Sequence, residues 1–314
     1  MKFGAPSPDR VNSGGPLPDP VNPGDPAPGR VVAQLHWRGV AARMRAAVAG
    51  REVERLGRRH LADGLPQMAV FVFDHVGRSI AIWGRYEREE LALLMQAIGP
   101  VLQPGGVCID IGANVGNHAL FFADHFAEVL AFEPNPRTFA LLQLNATLRP
   151  NVRCFGFGLS DAEGHAMLSV PAGNAGMASL HAAAGEAAQV ACRLRRLDDV
   201  AEVAACRVAL VKLDVEGHEA AALRGATAML RRDRPVVVFE QAAADIAGGT
   251  SATLELLRGL GYCRLWTLEP LPAGGNRWLT LARRFVGGEG LRLVESQALE
   301  PRFHSMVVAL PGSR

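Results

Sequence analysis

Val107-Cys108-Ile109-Asp110-Ile111-Gly112-Ala113-Asn114-Val115-Gly116 reads as an apolar strand that runs into a glycine-bearing turn and then into a helix. In doubly wound sheets, ligands bind outside the carboxyl ends of the strands, and glycines let a ligand approach the backbone closely. The turn is therefore expected to hold a ligand. The next apolar run, Val129-Leu130-Ala131-Phe132, ends on Glu133. That is ~20 residues further on, where a carboxylate reaches the hydroxyls of a ribose.

Charge narrows the ligand. A pyrophosphate needs unobstructed backbone N–H groups at a helix N-terminus, yet Asp110 stands two residues before Gly112 and the G-x-G-x-x-G order is absent. Such a turn favours a cation, and S-adenosylmethionine offers both a sulfonium and an ammonium. An NAD-dependent oxidoreductase is disfavoured on the same ground. The plainer alternative is that Gly112 and Gly116 only tighten a strand-to-helix connection, with Asp110 capping the helix.

Outward from this turn, strand and helix patterns alternate. Strands are expected at Glu128 to Phe132, Val152 to Phe155, Val208 to Asp214, Pro235 to Phe239 and Tyr262 to Trp266, with helices at Asn117 to His125, Pro136 to Leu148, Glu219 to Arg231 and Ser251 to Leu260. Short apolar strands separated by helices predict a Rossmann-like α/β fold, its mostly parallel sheet covered by helices on both faces. Ser305 to Leu310 reads as a last, antiparallel strand. An extra strand at His165 to Val170, after the turn Asp161-Ala162-Glu163-Gly164, interrupts the rhythm. Upstream, residues 1–30 are rich in Pro, Gly, Asp and Asn and read as a disordered leader. Residues 31–86 read as a helix followed by a β-hairpin, Met68 to Phe73 and Ser79 to Trp83. A helix at Glu89 to Ile98 opens the main domain, residues 87–314.

The 314 residues are 49% hydrophobic and 20% charged with a net charge of +2, which excludes a disordered or fibrous chain and gives no basic surface for nucleic acid. Five cysteines without a C-x-x-C indicate neither a disulfide framework nor a zinc site, and no metal is expected. No apolar run approaches the ~20 residues of a membrane span, and no secretory signal is present. A cytoplasmic protein is expected, of undetermined oligomeric state.

Val208 to Asp214 begins as a buried strand and ends in charge: Lys212, Asp214, Glu216, His218 and Glu219. Lys and Glu are almost never fully buried without partners. These residues are expected to form one cluster at the strand's carboxyl end, against the alternative of a self-satisfying Lys–Asp pair with acids at a helix N-terminus. If the chain transfers a methyl group to a hydroxyl, a base must take the proton. His218 is the first candidate by its intrinsic pKa, with Asp214 or Glu216 orienting it or acting directly. Glu240 ends the strand Pro235 to Phe239, where it either contacts substrate or caps a helix. His118 is a candidate lining residue, and Gly173 to Leu180 and Thr267 to Gly288 are candidate acceptor loops.

Asp110-Ile111-Gly112-Ala113-Asn114-Val115-Gly116, Phe132-Glu133-Pro134-Asn135-Pro136, Leu159-Ser160-Asp161 and Val211-Lys212-Leu213-Asp214-Val215-Glu216-Gly217-His218-Glu219 together resemble, in order, the motifs of the FkbM-type methyltransferases. The resemblance covers about Glu87 to Leu310. It implies the class I methyltransferase fold, S-adenosylmethionine as cofactor, and O-methylation of a hydroxyl on a sugar, polysaccharide unit or secondary metabolite. By the same resemblance, Asp110, Gly112, Ala113, Asn114 and Gly116 cradle the methionine part, with Asp214 beside it. Glu133 accepts the ribose hydroxyls. Ser160 and Asp161 sit at the adenine, although Asp161 also reads as the residue opening the turn before Gly164. Lys212, Asp214, Glu216 and His218 fall at the chemistry, and Glu219 and Glu240 at the acceptor. A different reading keeps the cofactor and drops the chemistry, leaving a non-catalytic binding scaffold. In either case Glu133→Ala is expected to weaken cofactor binding while changing fold stability much less.

Overall fold

A computed structural model of the chain describes residues 39–171, 180, 188–271 and 290–312. Contacts divide the chain into Met1–Gly50 and Arg51–Arg314. In the first unit the described residues are Gly39 and the opening of helix α1 (Val40–Ala62). The expected leader lies outside the described residues.

In the second unit the expected hairpin is absent. Met68 to Phe73 contains no strand, and Ser79 to Trp83 belongs to helix α2 (His75–Trp83). Asp74 decides this. Its carboxylate accepts the N–H groups of Val76 and Gly77 at 2.9 and 3.3 Å, and Gly84, at φ 80°, closes the other end in the left-handed region. Over so few residues the apolar alternation fits either period, so the caps settle the outcome.

From there the chain runs α3 (Arg88–Ile98), β1 (Val107–Ile111), α4 (Asn117–Phe122), β2 (Glu128–Phe132), α5 (Pro136–Ala146) and β3 (Val152–Phe155). Next come β4 (Gly158–Leu159), β5 (Gly164–Val170), β6 (Ala188–Arg195), α6 (Ala201–Ala204), β7 (Val208–Leu213), α7 (Glu219–Arg224) and α8 (Thr227–Asp233). It ends with β8 (Val236–Gln241), α9 (Ala252–Gly259), β9 (Tyr262–Pro270), β10 (Leu291–Ser296) and β11 (His304–Pro311). The single helix expected over Glu219 to Arg231 is two. Asp198 starts the second by accepting the N–H groups of Ala228 and Met229, each at 2.9 Å.

The main sheet has eight strands in the order β3–β2–β1–β7–β8–β11–β9–β10. The strands from β3 through β8 pair in parallel, whereas β11 lies antiparallel between β8 and β9. β9 therefore points the same way as β8. The antiparallel last strand is as expected. The edge strand β10 had no counterpart in the sequence reading, and the expected acceptor loop begins with the last residues of β9. β5 pairs with β6, and β6 with β4, in a separate three-stranded sheet, the insertion that breaks the rhythm after β3.

Period-two alternation sorts the strands onto two cores. Ile109, Ile111, Phe132, Val211 and Leu213 pack toward α7, α8 and α9, while Cys108, Ala131 and Leu210 pack toward α3, α4 and α5. Fully burying each large apolar side chain contributes about 1.5–3 kcal/mol. All five residues of β1 are buried, including Asp110. This rigid sheet presents the tips of β1, β2, β7 and β8 along one edge. No helix among the described residues is long and apolar enough to cross a membrane.

Candidate active site

The turn after β1 is built by backbone hydrogen bonds. Gly112 and Ala113 donate N–H groups to the Phe132 carbonyl at 2.9 and 3.0 Å, and Asp214 donates to Ile111 at 3.0 Å. Gly112 adopts φ +77°, and a Cβ there would lie 1.9 Å from the Asp214 carbonyl oxygen. Only glycine lets the tips of β1 and β7 approach this closely. Asn114 follows at φ 50° and Gly116 at φ 92°.

Glu133 is held in place by three donors. Its Oε2 accepts the Asn114 N–H at 2.9 Å, and its Oε1 accepts the Asn135 N–H at 2.8 Å and the Thr138 hydroxyl at 2.9 Å. Burial pushes its pKa up, against the lowering effect of these donors. Glu133, Gly112 and Asn114 face a cleft whose far wall is apolar, made by Leu159, Leu168 and Leu180. Asp214, Glu216 and His218 complete it.

Ser160 is buried behind this wall. His218 Nε2 and Ser160 Oγ are 3.0 Å apart, and Ser160 Oγ donates to Asp161 at 3.3 Å. Asp161 does not line the cleft. It is exposed and pairs with Arg224 at 3.0 Å, and the hydrogen bond from that guanidinium holds its pKa low.

Asp110 also lies away from the cleft. It sits in register with Lys212 on the α3–α4 face of the sheet, at 0% exposure. Lys212 Nζ is 3.4 Å from both Asp110 Oδ1 and Asp214 Oδ2. Burial opposes the ammonium, but Asp110 and Asp214, with Glu240 and Glu87 adding to them, outweigh it and raise the Lys212 pKa. The first-strand acid therefore neutralises a buried lysine, and the acid at this end of the cleft is Asp214. Both expectations for Lys212 hold a part: it pairs with Asp214, and it belongs to the cluster.

Glu219 turns inward. Its Oε1 accepts the N–H groups of Val215 and Gly217 at 3.3 and 3.2 Å, shaping the loop that carries Glu216. A second, more open chamber adjoins the cleft and shares Glu216 with it; Glu219, Glu240, Asp245 and Phe303 line its other sides. Glu240 also borders a third, smaller cavity of about 310 Å³ with Glu87, His118 and Lys212. Burial, with Asp214 and Glu87 nearby, pushes the Glu240 carboxyl up to about 9.

Tyr86 and Glu87 were not singled out by the sequence. The Asn117 side chain accepts the Tyr86 N–H at 3.0 Å and donates to its carbonyl at 2.9 Å. Glu87, at φ 54°, then places its carboxylate 3.1 Å from His118 Nε2. A lone acid before a helix reads as a capping residue, and only the tertiary clamp from α4 reveals more. Of the expected acceptor loops, residues 172–179 and 272–289 lie outside the described residues. Among the described residues, no group of three or more His, Cys, Asp and Glu is arranged to hold a metal ion.

A mostly parallel sheet whose last strand, β11, inserts antiparallel between β8 and β9, and a carboxylate on the second strand tip facing a glycine turn on the first, define the class I methyltransferase fold. The description "Methyltransferase FkbM domain" matches residues 110–273, just over half of the chain. The chain belongs to the FkbM methyltransferase family. It is 30% identical to 31-O-demethyl-FK506 methyltransferase FkbM of Streptomyces tacrolimicus, over 60% of this chain and 85% of that protein. It is 30% identical to hexuronic acid methyltransferase AglP of Haloferax volcanii, over 51% of this chain and 65% of that one. It is 31% identical to AMB antimetabolite synthetase AmbE of Pseudomonas aeruginosa, over 65% of this chain but 12% of the synthetase.

Proposed function

We propose that this chain is an S-adenosylmethionine-dependent O-methyltransferase acting on a hydroxyl of a sugar, polysaccharide unit or secondary metabolite. The observation that carries this reading is Glu133, fixed by Asn114, Asn135 and Thr138 and facing the cleft. The residues fit the cofactor. Leu159, Leu168 and Leu180 offer an apolar wall for an adenine. Glu133 offers a carboxylate for the ribose hydroxyls. Asp214 brings negative charge for a sulfonium and an ammonium. When bound, S-adenosylmethionine supplies a methyl group on an already activated leaving group, so the protein's main task is placement.

The turn from Gly112 to Gly116 shapes the methionine end. His218, against Ser160, lines the cofactor cleft and not the second chamber. Its place there supports a role in holding the cofactor over one in proton removal. The second chamber, reached past Glu216, is the acceptor side, with Glu240 and Phe303 on its walls. The names of two relatives, a hexuronic acid methyltransferase and a 31-O-demethyl-FK506 methyltransferase, support a hydroxylated acceptor.

The test is incubation with methyl-labelled S-adenosylmethionine and a panel of sugars and hydroxylated metabolites. Transfer of label to oxygen in one acceptor class is expected. Tight cofactor binding with no transfer across a broad panel would favour the non-catalytic scaffold.

A further inference from the structure

The side chain of Glu240 stands at the tip of β8, on the border between the acceptor-side chamber and the smaller cavity behind it. It forms no hydrogen bond or ion pair with the described residues, although carboxylates surround it. Asp214 and Glu216 face it from the end of β7 and the loop beyond, and Glu87, beside Tyr86, from the segment before α3. Glu219 on α7 and Asp245 after β8 share the chamber. The cations are Lys212, already pairing with Asp110 and Asp214, and, when protonated, His118 on α4, which pairs with Glu87. Burial first, and then the like charge of Asp214, Glu87 and Glu216, push the Glu240 carboxyl up to about 9.

Taking S-adenosylmethionine as the cofactor, as proposed above, we infer that Glu240 is the proton-handling residue of the reaction: it releases a proton to solvent when the cationic cofactor binds, and then accepts the proton of the acceptor hydroxyl. Asp214 lines the cofactor cleft and also faces Glu240, so a positive charge placed beside Asp214 offsets the repulsion that keeps Glu240 protonated. The balance then closes. The hydroxyl O–H bond breaks and its proton passes to the Glu240 carboxylate. The oxygen forms a bond to the methyl carbon as the carbon–sulfur bond breaks, and that electron pair stays on sulfur. The ether and a neutral thioether leave, and Glu240 is protonated as at the start. The one proton that methyl transfer to a hydroxyl must release thus leaves at cofactor binding.

The experiment is isothermal calorimetry of S-adenosylmethionine binding at pH 7.5 in buffers of differing ionisation enthalpy. The expected result is release of roughly one proton per cofactor bound by the parent protein, with little release by Glu240→Gln, which mimics the protonated carboxyl and retains binding. S-adenosylhomocysteine, without the sulfonium, should release less. A measurement on the parent protein alone gives the same answer by linkage: affinity should rise about tenfold per pH unit between pH 6 and 8. Binding without buffer dependence or pH slope, or full proton release by Glu240→Gln, would overturn this inference and leave the methyltransferase reading standing. A folded parent protein that does not bind S-adenosylmethionine would overturn both.

Discussion

The backbone N–H of Asn114 donates to Glu133 Oε2 at 2.9 Å across 19 residues of sequence. This hydrogen bond ties the turn after β1 to the tip of β2, the two places a nucleoside must touch at once. Glu133 is thus part of the architecture of the cleft as well as a group facing it.

Glu133→Ala should damage both binding and fold. The sequence alone implied a selective loss of cofactor, but the substitution also strands the Asn114 and Asn135 N–H groups, at about 1–3 kcal/mol for each donor left buried, while the Thr138 hydroxyl keeps the Asn135 carbonyl as acceptor. Thermal unfolding should show a clear fall in Tm. Cofactor affinity measured by calorimetry should drop by roughly tenfold to several hundredfold. An unchanged Tm would refute the architectural role.

Lys212→Met removes the buried partner of Asp110. The lone carboxylate at the centre of the sheet should cost about 3–5 kcal/mol in urea unfolding. Pairing it with Asp110→Asn should restore part of that loss, because the uncompensated charge is gone. A single variant as stable as the parent would mean that Lys212 does not neutralise Asp110 in the folded protein.

Gly112→Ala places a methyl group against the Asp214 carbonyl in a backbone conformation that side chains rarely adopt. The tips of β1 and β7 must separate, so loss of cofactor binding together with a Tm several degrees lower is expected. A variant that binds like the parent would contradict the close approach.

The pH dependence has a definite sign. Glu240 is raised in the folded protein to about 9 from an ordinary 4.5. Between those values the folded state holds a proton that the unfolded state has lost. The stabilising contribution of this group is therefore complete below about pH 4.5 and fades as pH rises through the folded value. Glu133, Glu216 and Glu219 are raised in the same direction. Urea midpoints should fall between pH 6 and 9 in the parent and fall less steeply in Glu240→Gln; identical slopes would remove Glu240 from the account.

What could be read in advance followed local pattern. The strand–turn–helix at Val107 to Gly116 and the acid at Glu133 carry their own signals, and the alternation of short apolar strands with helices fixes a parallel sheet. What escaped depends on partners distant in sequence. Asp110 looks like a ligand-facing acid until β7 brings Lys212 into register beside it. Glu87 gains its place from Asn117 and His118. Asp74 and Gly84 turn an alternating run into a helix. β10 pairs only at the sheet edge, where each of its residues stays at least partly exposed.

Equilibrium binding of S-adenosylmethionine and of its demethylated product, measured on the folded parent protein and on Glu133→Gln, tests the central claim most directly. Saturable association of both with the parent, clearly weakened in the variant, is the predicted outcome. Failure of the parent to bind either compound while its unfolding transition is intact would contradict it.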